Sequence, residues 1–219
     1  MARSDRPAPP RVSPALAPVD LADIEDGDLG EGVALSGRLS ASFDQPLHLS
    51  NGRIDGASFV GAALVGSRLI DTIVHGCDFS GADLDGIALT RVEFRECRFA
   101  GARLSRARMR DVRFVDCQLD AVNLRHSQAE YVRFEQCRLV GAEFTSATYA
   151  GVAWWDCNLT DADMSKIAVT RGQLQGSVID DLRGAMSLAP IAIDADQEPA
   201  FAALLLANLG VEVTARLDD

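Results

Sequence analysis

The 219-residue sequence holds few histidines, a residue common in catalytic and metal sites. Its three histidines, His48, His75 and His126, occupy different positions of the repeat described below, so they do not converge on one point. The sequence has no Ser-His-Asp or Cys-His set, no phosphate-binding loop and no cluster of metal ligands. We therefore expect no enzymatic activity, no metal and no cofactor.

Long apolar runs are missing from the beginning of the chain. The first eighteen residues hold five prolines and three arginines but no continuous apolar core. This composition predicts neither a signal peptide nor a membrane span, and we expect a cytoplasmic protein with no membrane partner. The number of cysteines, five, is odd. Unpaired buried thiols in a reducing compartment fit this number better than a disulfide framework does.

What the sequence does have is a strict period of twenty residues. All five cysteines keep it, and so do Phe94, Phe114, Phe134 and Trp154. Such a period predicts a coil that returns to the same place every twenty residues. Stacked coils present thiols in parallel, which suits neither tetrahedral zinc nor a relaxed disulfide, so we interpret the cysteines as small buried apolar residues. They are Cys77, Cys97, Cys117, Cys137 and Cys157.

A finer period of five residues runs from Ile54 to Ile179. Twenty-five of the twenty-six residues at this step are large and apolar, and the residue two positions earlier is almost always small. A period of five fits neither an α-helix nor a long strand, but it does fit a short extended edge followed by a corner. Four edges then make one square coil, and successive coils stack as parallel strands about 4.8 Å apart. No inserted loop interrupts this register.

The repeat resembles that of the pentapeptide-repeat protein family. Good matches to its pattern are Cys77-Asp78-Phe79-Ser80-Gly81 and Ala162-Asp163-Met164-Ser165-Lys166. The resemblance implies an all-β fold, a right-handed quadrilateral parallel β-helix with a C-terminal capping or dimerisation helix. Qnr- and MfpA-type members of this family are dimeric rods that imitate DNA and bind type II topoisomerases. DNA gyrase or topoisomerase IV is therefore the implied partner, with an effect on quinolone sensitivity; a scaffold for an unknown partner is the alternative.

Four segments are predicted along the chain. Residues 1–18 are a disordered proline-rich tail, 19–53 an acidic segment with an irregular first coil, 54–183 the regular β-helix, and 184–219 a cap with a helix near 199–209. This helix is more apolar than covering the rod requires, which predicts a homodimer through the C-terminal end. A single cap over the last coil is the competing interpretation. The cap or dimer residues are Phe201, Leu204, Leu205, Leu206 and Leu209.

The net charge of −11 is unevenly distributed, with −7 over residues 1–90, +4 over 91–139 and −8 over 140–219. The middle contains an arginine belt, which could bind nucleic acid phosphates or neutralise carboxylates on neighbouring coils. We favour neutralisation, with Glu93 next to Arg113 and Asp83 next to Arg103, and therefore do not expect direct nucleic acid binding; it stays a third functional hypothesis. The belt consists of Arg91, Arg95, Arg98, Arg103, Arg106, Arg108, Arg110 and Arg113.

The acidic C-terminal half is the predicted partner-binding region, because carboxylates of like charge stack there with little compensation. These carboxylates either keep the protein soluble or present phosphate-like charge to a basic protein groove. Trp155 follows the inward Trp154 and so points outward, where it anchors a partner or is covered by another part of the protein. The candidate residues are Asp116, Asp120, Glu143, Trp155, Asp156, Asp161, Asp163, Asp180 and Asp181.

Overall fold

The computed structural model describes residues 6–39 and 44–211. Parts of the predicted tail (1–5), first coil (40–43) and cap (212–219) lie outside the described residues. The strands are β1 Ala17–Asp20, β2 Asp28–Glu31, β3 Val33–Ser36, β4 His48–Ser50, β5 Arg53–Asp55, β6 Arg68–His75, β7 Ala88–Arg95, β8 Arg108–Val115, β9 Gln128–Glu135, β10 Thr148–Tyr149, β11 Val152–Trp155, β12 Ala168–Val169, β13 Gly172–Gln175 and β14 Ile191–Ile193. One α-helix, α1 (Glu198–Asn208), and three short 3₁₀ helices, Leu21–Asp23, Ala185–Leu188 and Ala195–Gln197, complete the described elements.

All these strands pair in parallel, and the protein is a parallel β-solenoid of about nine turns. Along one side the order is β1-β3-β5-β6-β7-β8-β9-β11-β13-β14. The register between β6, β7, β8 and β9 is twenty residues throughout, for example Val92 opposite Val112. The solenoid is longer than the predicted range of 54–183, because shorter coils extend it at both ends. Ala17 pairs with Val33, Ala34 with Arg53, and Gly172 with Ile191.

Each coil has four edges, which we number as faces 1 to 4. In the coil of residues 52–71 they are 52–56, 57–61, 62–66 and 67–71, and they recur every twenty residues. The fifth residue of a face forms the corner and usually has a positive φ, as at Gly81 (65°) and Asp161 (58°). Glycine adopts this conformation without steric cost, and aspartate and asparagine tolerate it better than other side chains.

The core is a set of ladders along the rod axis, as the periods of five and twenty predicted. The Phe94, Phe114 and Phe134 rings stack with 5.0 Å between neighbouring centroids, and Trp154 follows at 6.5 Å. All five cysteines are free and buried. The neighbouring Cys97 thiol and burial raise the pKa of the Cys77 thiol, which fits an inert packing role for it.

The coils within residues 19–53 are irregular, with a register of sixteen residues between Ala17 and Val33 and a shift between Asp28 and Glu31, whereas residues 6–18 of the predicted disordered tail have a described structure. Residues 17–20 form β1, and Leu21 is buried in the core. Residues 7–14, which we call the strap, run along the corner between faces 4 and 1. Ser13 donates its backbone N–H to the carbonyl of Asn51 (3.0 Å), and Pro7 is buried. Prolines restrict the unfolded chain, so less conformational entropy is lost when the strap docks.

The C-terminal end is covered by α1, close to the predicted 199–209. The side chain of Asn208 accepts a hydrogen bond from the Gly184 backbone N–H (3.1 Å) and donates one to the Leu182 carbonyl (3.4 Å), which holds the helix over the last coil. Phe201, Leu204 and Leu205 pack against the core. The helix therefore prevents further coils from stacking on the open end.

Candidate interaction surfaces

The arginine belt is largely neutralised by carboxylates one coil away or two residues along the strand. Glu93 is the centre of one such group, because it accepts hydrogen bonds from both Arg95 and Arg113, the latter at 2.7 Å. Arg113 also contacts Glu135 at 3.2 Å. The two pairs predicted from the twenty-residue spacing, Glu93–Arg113 and Asp83–Arg103, are both confirmed.

Two other belt arginines hold buried carboxylates. Arg91 forms a bidentate pair with Asp71, whose side chain is almost fully buried, and Arg106 does the same with Asp85. These guanidinium groups lower the pKa of Asp71 and of Asp85 below the ordinary value of an aspartate. A cation that already binds a carboxylate in this geometry is not free to bind a phosphate.

Six of the eight belt arginines therefore have a described carboxylate partner. The sixth is Arg110, which lies 3.0 Å from Glu130. Within residues 6–39 and 44–211, Arg98 and Arg108 form no ion pair, and they lie on different faces of the rod, face 2 and face 4. The belt thus does not present the continuous basic surface that nucleic acid binding requires.

A contrasting surface, which we call the acidic strip, occupies face 2 and its two corners in the C-terminal half of the rod. Its corner residues have φ between 52° and 58°, a conformation that glycine adopts at many equivalent corners. The corner carboxylates are exposed to solvent. The strip consists of Asp116 and Asp156 at one corner, Asp161 and Asp181 at the other, and Asp120 and Asp180 between them.

Among the residues that the structure describes, only one cation compensates the acidic strip. Arg138 contacts Asp120 at 2.8 Å. No ion pair joins the other five strip carboxylates to any side chain in the described part of the chain. Asp161 and Asp181 are one coil apart in the same column, so their like charges repel across about 4.8 Å of backbone spacing. This arrangement costs stability and leaves a net charge of about −5 on one side of the rod.

The other three sequence candidates lie elsewhere. Glu143 and Asp163 are backbone bridge partners on face 3. Arg125 lies 3.7 Å from Glu143, and Arg183 lies 3.8 Å from Asp163. Trp155 does point outward, on face 1, but its ring is covered by a guanidinium group. The Cζ of Arg133 lies 3.8 Å from the ring centroid. A cation–π contact within the chain thus explains how the outward-pointing ring of Trp155 is covered.

Two carboxylates with a structural role were not among the sequence candidates. Asp71 and Asp111 are corner residues between faces 4 and 1, and both are buried under the strap. Their corner positions follow from the period of five, but their burial under the strap has no signal in the sequence. No group of three or more potential metal ligands occurs in residues 6–39 and 44–211. None of the described helices is long and apolar enough to cross a membrane.

Comparison with known proteins gives family matches over half of the chain. A family model described as a pentapeptide repeat region matches residues 87–164, and a model of eight pentapeptide repeats matches residues 48–86. A search of curated proteins found no match.

Solved structures were also matched. Trypsin-treated QnrB1, a plasmid-mediated fluoroquinolone resistance protein, is 17% identical over 84% of this chain and 99% of that chain, with a TM-score of 0.35. HetL, involved in heterocyst differentiation regulation in the cyanobacterium Nostoc, is 14% identical over 81% of this chain and 87% of that chain, with a TM-score of 0.24. The repeat register, the stacked square coils and the two family models together show that the chain belongs to the pentapeptide-repeat family.

Proposed function

We propose that this chain is a non-enzymatic interaction rod whose acidic strip occupies the DNA-binding groove of a type II topoisomerase. In this proposal the partner is DNA gyrase or topoisomerase IV, and the two proteins meet in the cytoplasm. Binding changes the sensitivity to quinolones. The observation that carries the proposal is the acidic strip, which has six carboxylates and one described counter-ion.

The charge density of the strip supports this proposal. From Asp116 to Asp181 the strip rises by just over three coils, which is about 16 Å at about 4.8 Å per coil. A net charge of about −5 over that length is roughly one charge per 3 Å, close to the 3.4 Å of one DNA strand. A groove lined with lysine and arginine to bind phosphates would attract this surface by the same long-range electrostatics.

A homodimer through the C-terminal end forms part of the proposal. Leu206 of α1 is 36% exposed, Leu209 (61%) and Val211 (47%) just after the helix are also exposed, and Met186 (57%) lies on the same end of the rod. A second copy that covers this surface would give a rod with an acidic strip at each side of its centre. The strip would then approach twice the length available to one chain.

The topoisomerase function is tested with a strip variant and a control of equal charge change. The strip variant carries Asp116→Asn, Asp156→Asn, Asp161→Asn and Asp181→Asn, since asparagine also tolerates a positive φ. The control carries Asp23→Asn, Glu25→Gln, Asp26→Asn and Asp28→Asn, which change exposed carboxylates far from the strip.

Gyrase supercoiling is then measured with and without a quinolone over a range of protein concentrations. The unmodified protein and the control should change the activity, whereas the strip variant should need at least ten times more protein for the same effect. If the unmodified protein has no effect at any concentration, the topoisomerase is not its partner. A rod that binds another protein with a basic groove would then be the remaining explanation of the strip.

The dimer is tested by light scattering at micromolar concentration. The unmodified protein should have twice the chain mass of 23.4 kDa, and Leu209→Glu should have the mass of one chain. Leu209 is 61% exposed, so this change should leave the thermal stability of the single rod almost unaltered. A monomer mass for the unmodified protein would disprove the dimer.

A further inference from the structure

The strap corner is built to hold an extended chain. Ala8 donates its backbone N–H to the carboxylate of Asp111 (3.2 Å), and Arg11 donates its backbone N–H to that of Asp71 (3.0 Å). Asp71 and Asp111 are 5% and 2% exposed, although the equivalent corner aspartates of the acidic strip face the solvent. Burial of a carboxylate is unfavourable unless donors reach it, and the strap supplies a donor to each.

The spacing of these two contacts matches the polyproline II helix. Asp71 and Asp111 are two coils apart, which is about 9.6 Å at the strand spacing. Ala8 and Arg11 are three residues apart, and three residues of polyproline II advance about 9.3 Å and complete one turn. Their two N–H groups therefore point to the same side at the distance of the two carboxylates.

The residues between the two donors also fit this conformation. Positions 9 and 10 are both proline, so φ is fixed near −65° and the preceding residue is held in an extended conformation. Proline has no backbone N–H, so neither residue leaves a donor unsatisfied between the two carboxylates. The corner thus selects a pattern of two donors that flank two prolines.

We propose that the corner formed by Asn51, Asp71, Arg91 and Asp111 is a binding site for proline-rich segments of the pattern X-Pro-Pro-X. The strap fills this site within the chain, and a proline-rich segment of a partner protein fills it when the strap is displaced. The site lies between faces 4 and 1, away from the acidic strip, so the two surfaces can be occupied at once. The strap acts as a competitor, because its attachment to the rod gives it a high effective concentration at the site.

The site is tested with a full-length variant in which the strap is weakened and the corner is intact. Ala8→Pro with Arg11→Pro removes both N–H donors and keeps a conformation compatible with polyproline II. A fluorescein-labelled peptide of residues 6–16 is added, and its binding is followed by fluorescence anisotropy. The weakened variant should bind the peptide at least ten times more tightly than the unmodified protein does.

Two controls assign the binding to the corner. Asp111→Gly, added to the weakened variant, should reduce the affinity at least ten-fold, and glycine adopts the positive φ of Asp111 at many of the rod's other corners. A peptide with proline at the positions of Ala8 and Arg11 should not bind. The proposal is wrong if the weakened variant binds the peptide no more tightly than the unmodified protein, or if it binds both peptides equally.

Trypsin gives a second measurement that needs no added ligand. Its cleavage site after Arg11 lies within the strap, and Asp111→Gly in the otherwise unmodified chain removes one of the two carboxylates that hold it. Cleavage there should become at least ten times faster while the solenoid stays intact, as judged by its circular dichroism. An unchanged cleavage rate would show that the carboxylate does not hold the strap, and the proposed recognition would fail.

Discussion

The arginine belt and the acidic strip are made by the same repeat, yet their charges behave in opposite ways. In the belt, arginines and carboxylates lie about one coil or two residues apart, and six of the eight arginines form an ion pair with a carboxylate. In the strip, carboxylates follow carboxylates, and among the described residues only Arg138 opposes them.

The difference follows from the register. A coil of twenty residues makes neighbours of residues i and i+20, so the signs of charge at those two positions decide the character of the surface. Glu93 beside Arg113 gives a neutral pair that stabilises the rod, whereas Asp161 beside Asp181 gives a repulsion that costs stability. A repulsion without a structural benefit is the feature expected of a surface that acts on a partner.

The largest effect is expected when a buried carboxylate that pairs with the arginine belt is removed. Glu93→Ala should lower the free energy of unfolding by about 2 kcal/mol, because Arg95 and Arg113 lose the charged acceptor they share, although both guanidinium groups can still reach water. Denaturant unfolding measures this change, with Glu96→Ala as the control in the same coil. Glu96 is exposed, so the control should change the free energy by less than about 0.5 kcal/mol. Equal losses in the two variants would mean that the belt pairs do not stabilise the fold.

The belt should also make stability dependent on pH. Arg91 and Arg106 lower the folded-state pKa of Asp71 and Asp85, so both aspartates contribute stability above the unfolded value of about 4. That contribution is lost as the pH falls through the lower folded-state pKa. The difference in unfolding free energy between the unmodified protein and Arg106→Gln should therefore be large at pH 7 and shrink below pH 4.

A matched control for this experiment is Arg98→Gln, since Arg98 forms no ion pair with the described residues. The difference in unfolding free energy between Arg98→Gln and the unmodified protein should stay nearly constant over the same pH range. If Arg106→Gln behaves like Arg98→Gln, the pairing of Asp85 does not contribute to stability.

The smallest expected effect has the opposite sign and lies in the strip. Asp161→Asn should raise the free energy of unfolding by about 0.3 kcal/mol, because it removes a like charge next to Asp181. Asp163→Asn, two residues away on face 3, should lower it slightly, because Asp163 faces Arg183. Thermal unfolding at low and high salt measures both, and salt should reduce both differences. A destabilised Asp161→Asn would contradict the repulsion.

The regular part of the fold could be predicted from the sequence because its cause is periodic. The inward cysteine, phenylalanine and Trp154 ladders follow from the period of twenty, and so do the Glu93–Arg113 and Asp83–Arg103 pairs. The added coils at the ends could not be predicted in this way, because their registers are sixteen residues from Ala17 to Val33 and nineteen from Gly172 to Ile191.

Side-chain contacts outside the repeat were also beyond the sequence pattern. The strap has no period in common with the rod, so its contacts with Asp71 and Asp111 needed coordinates. Like-charge stacking predicted Glu143 and Asp163 together with the strip, because the pattern does not show that Arg125 and Arg183 approach them. The pattern likewise does not show that Arg133 covers Trp155. The partner surface and the dimer stay predictions, since no described contact tests them.

The central claim is that the uncompensated charge of the acidic strip imitates DNA, and displacement of DNA from gyrase tests it most directly. A fluorescent duplex bound to gyrase is titrated with the unmodified protein, the strip variant and the control of equal charge change. We predict that the unmodified protein and the control displace the duplex, and that the strip variant needs at least ten times the concentration. Equal displacement by the strip variant, or no displacement by the unmodified protein, would contradict the account.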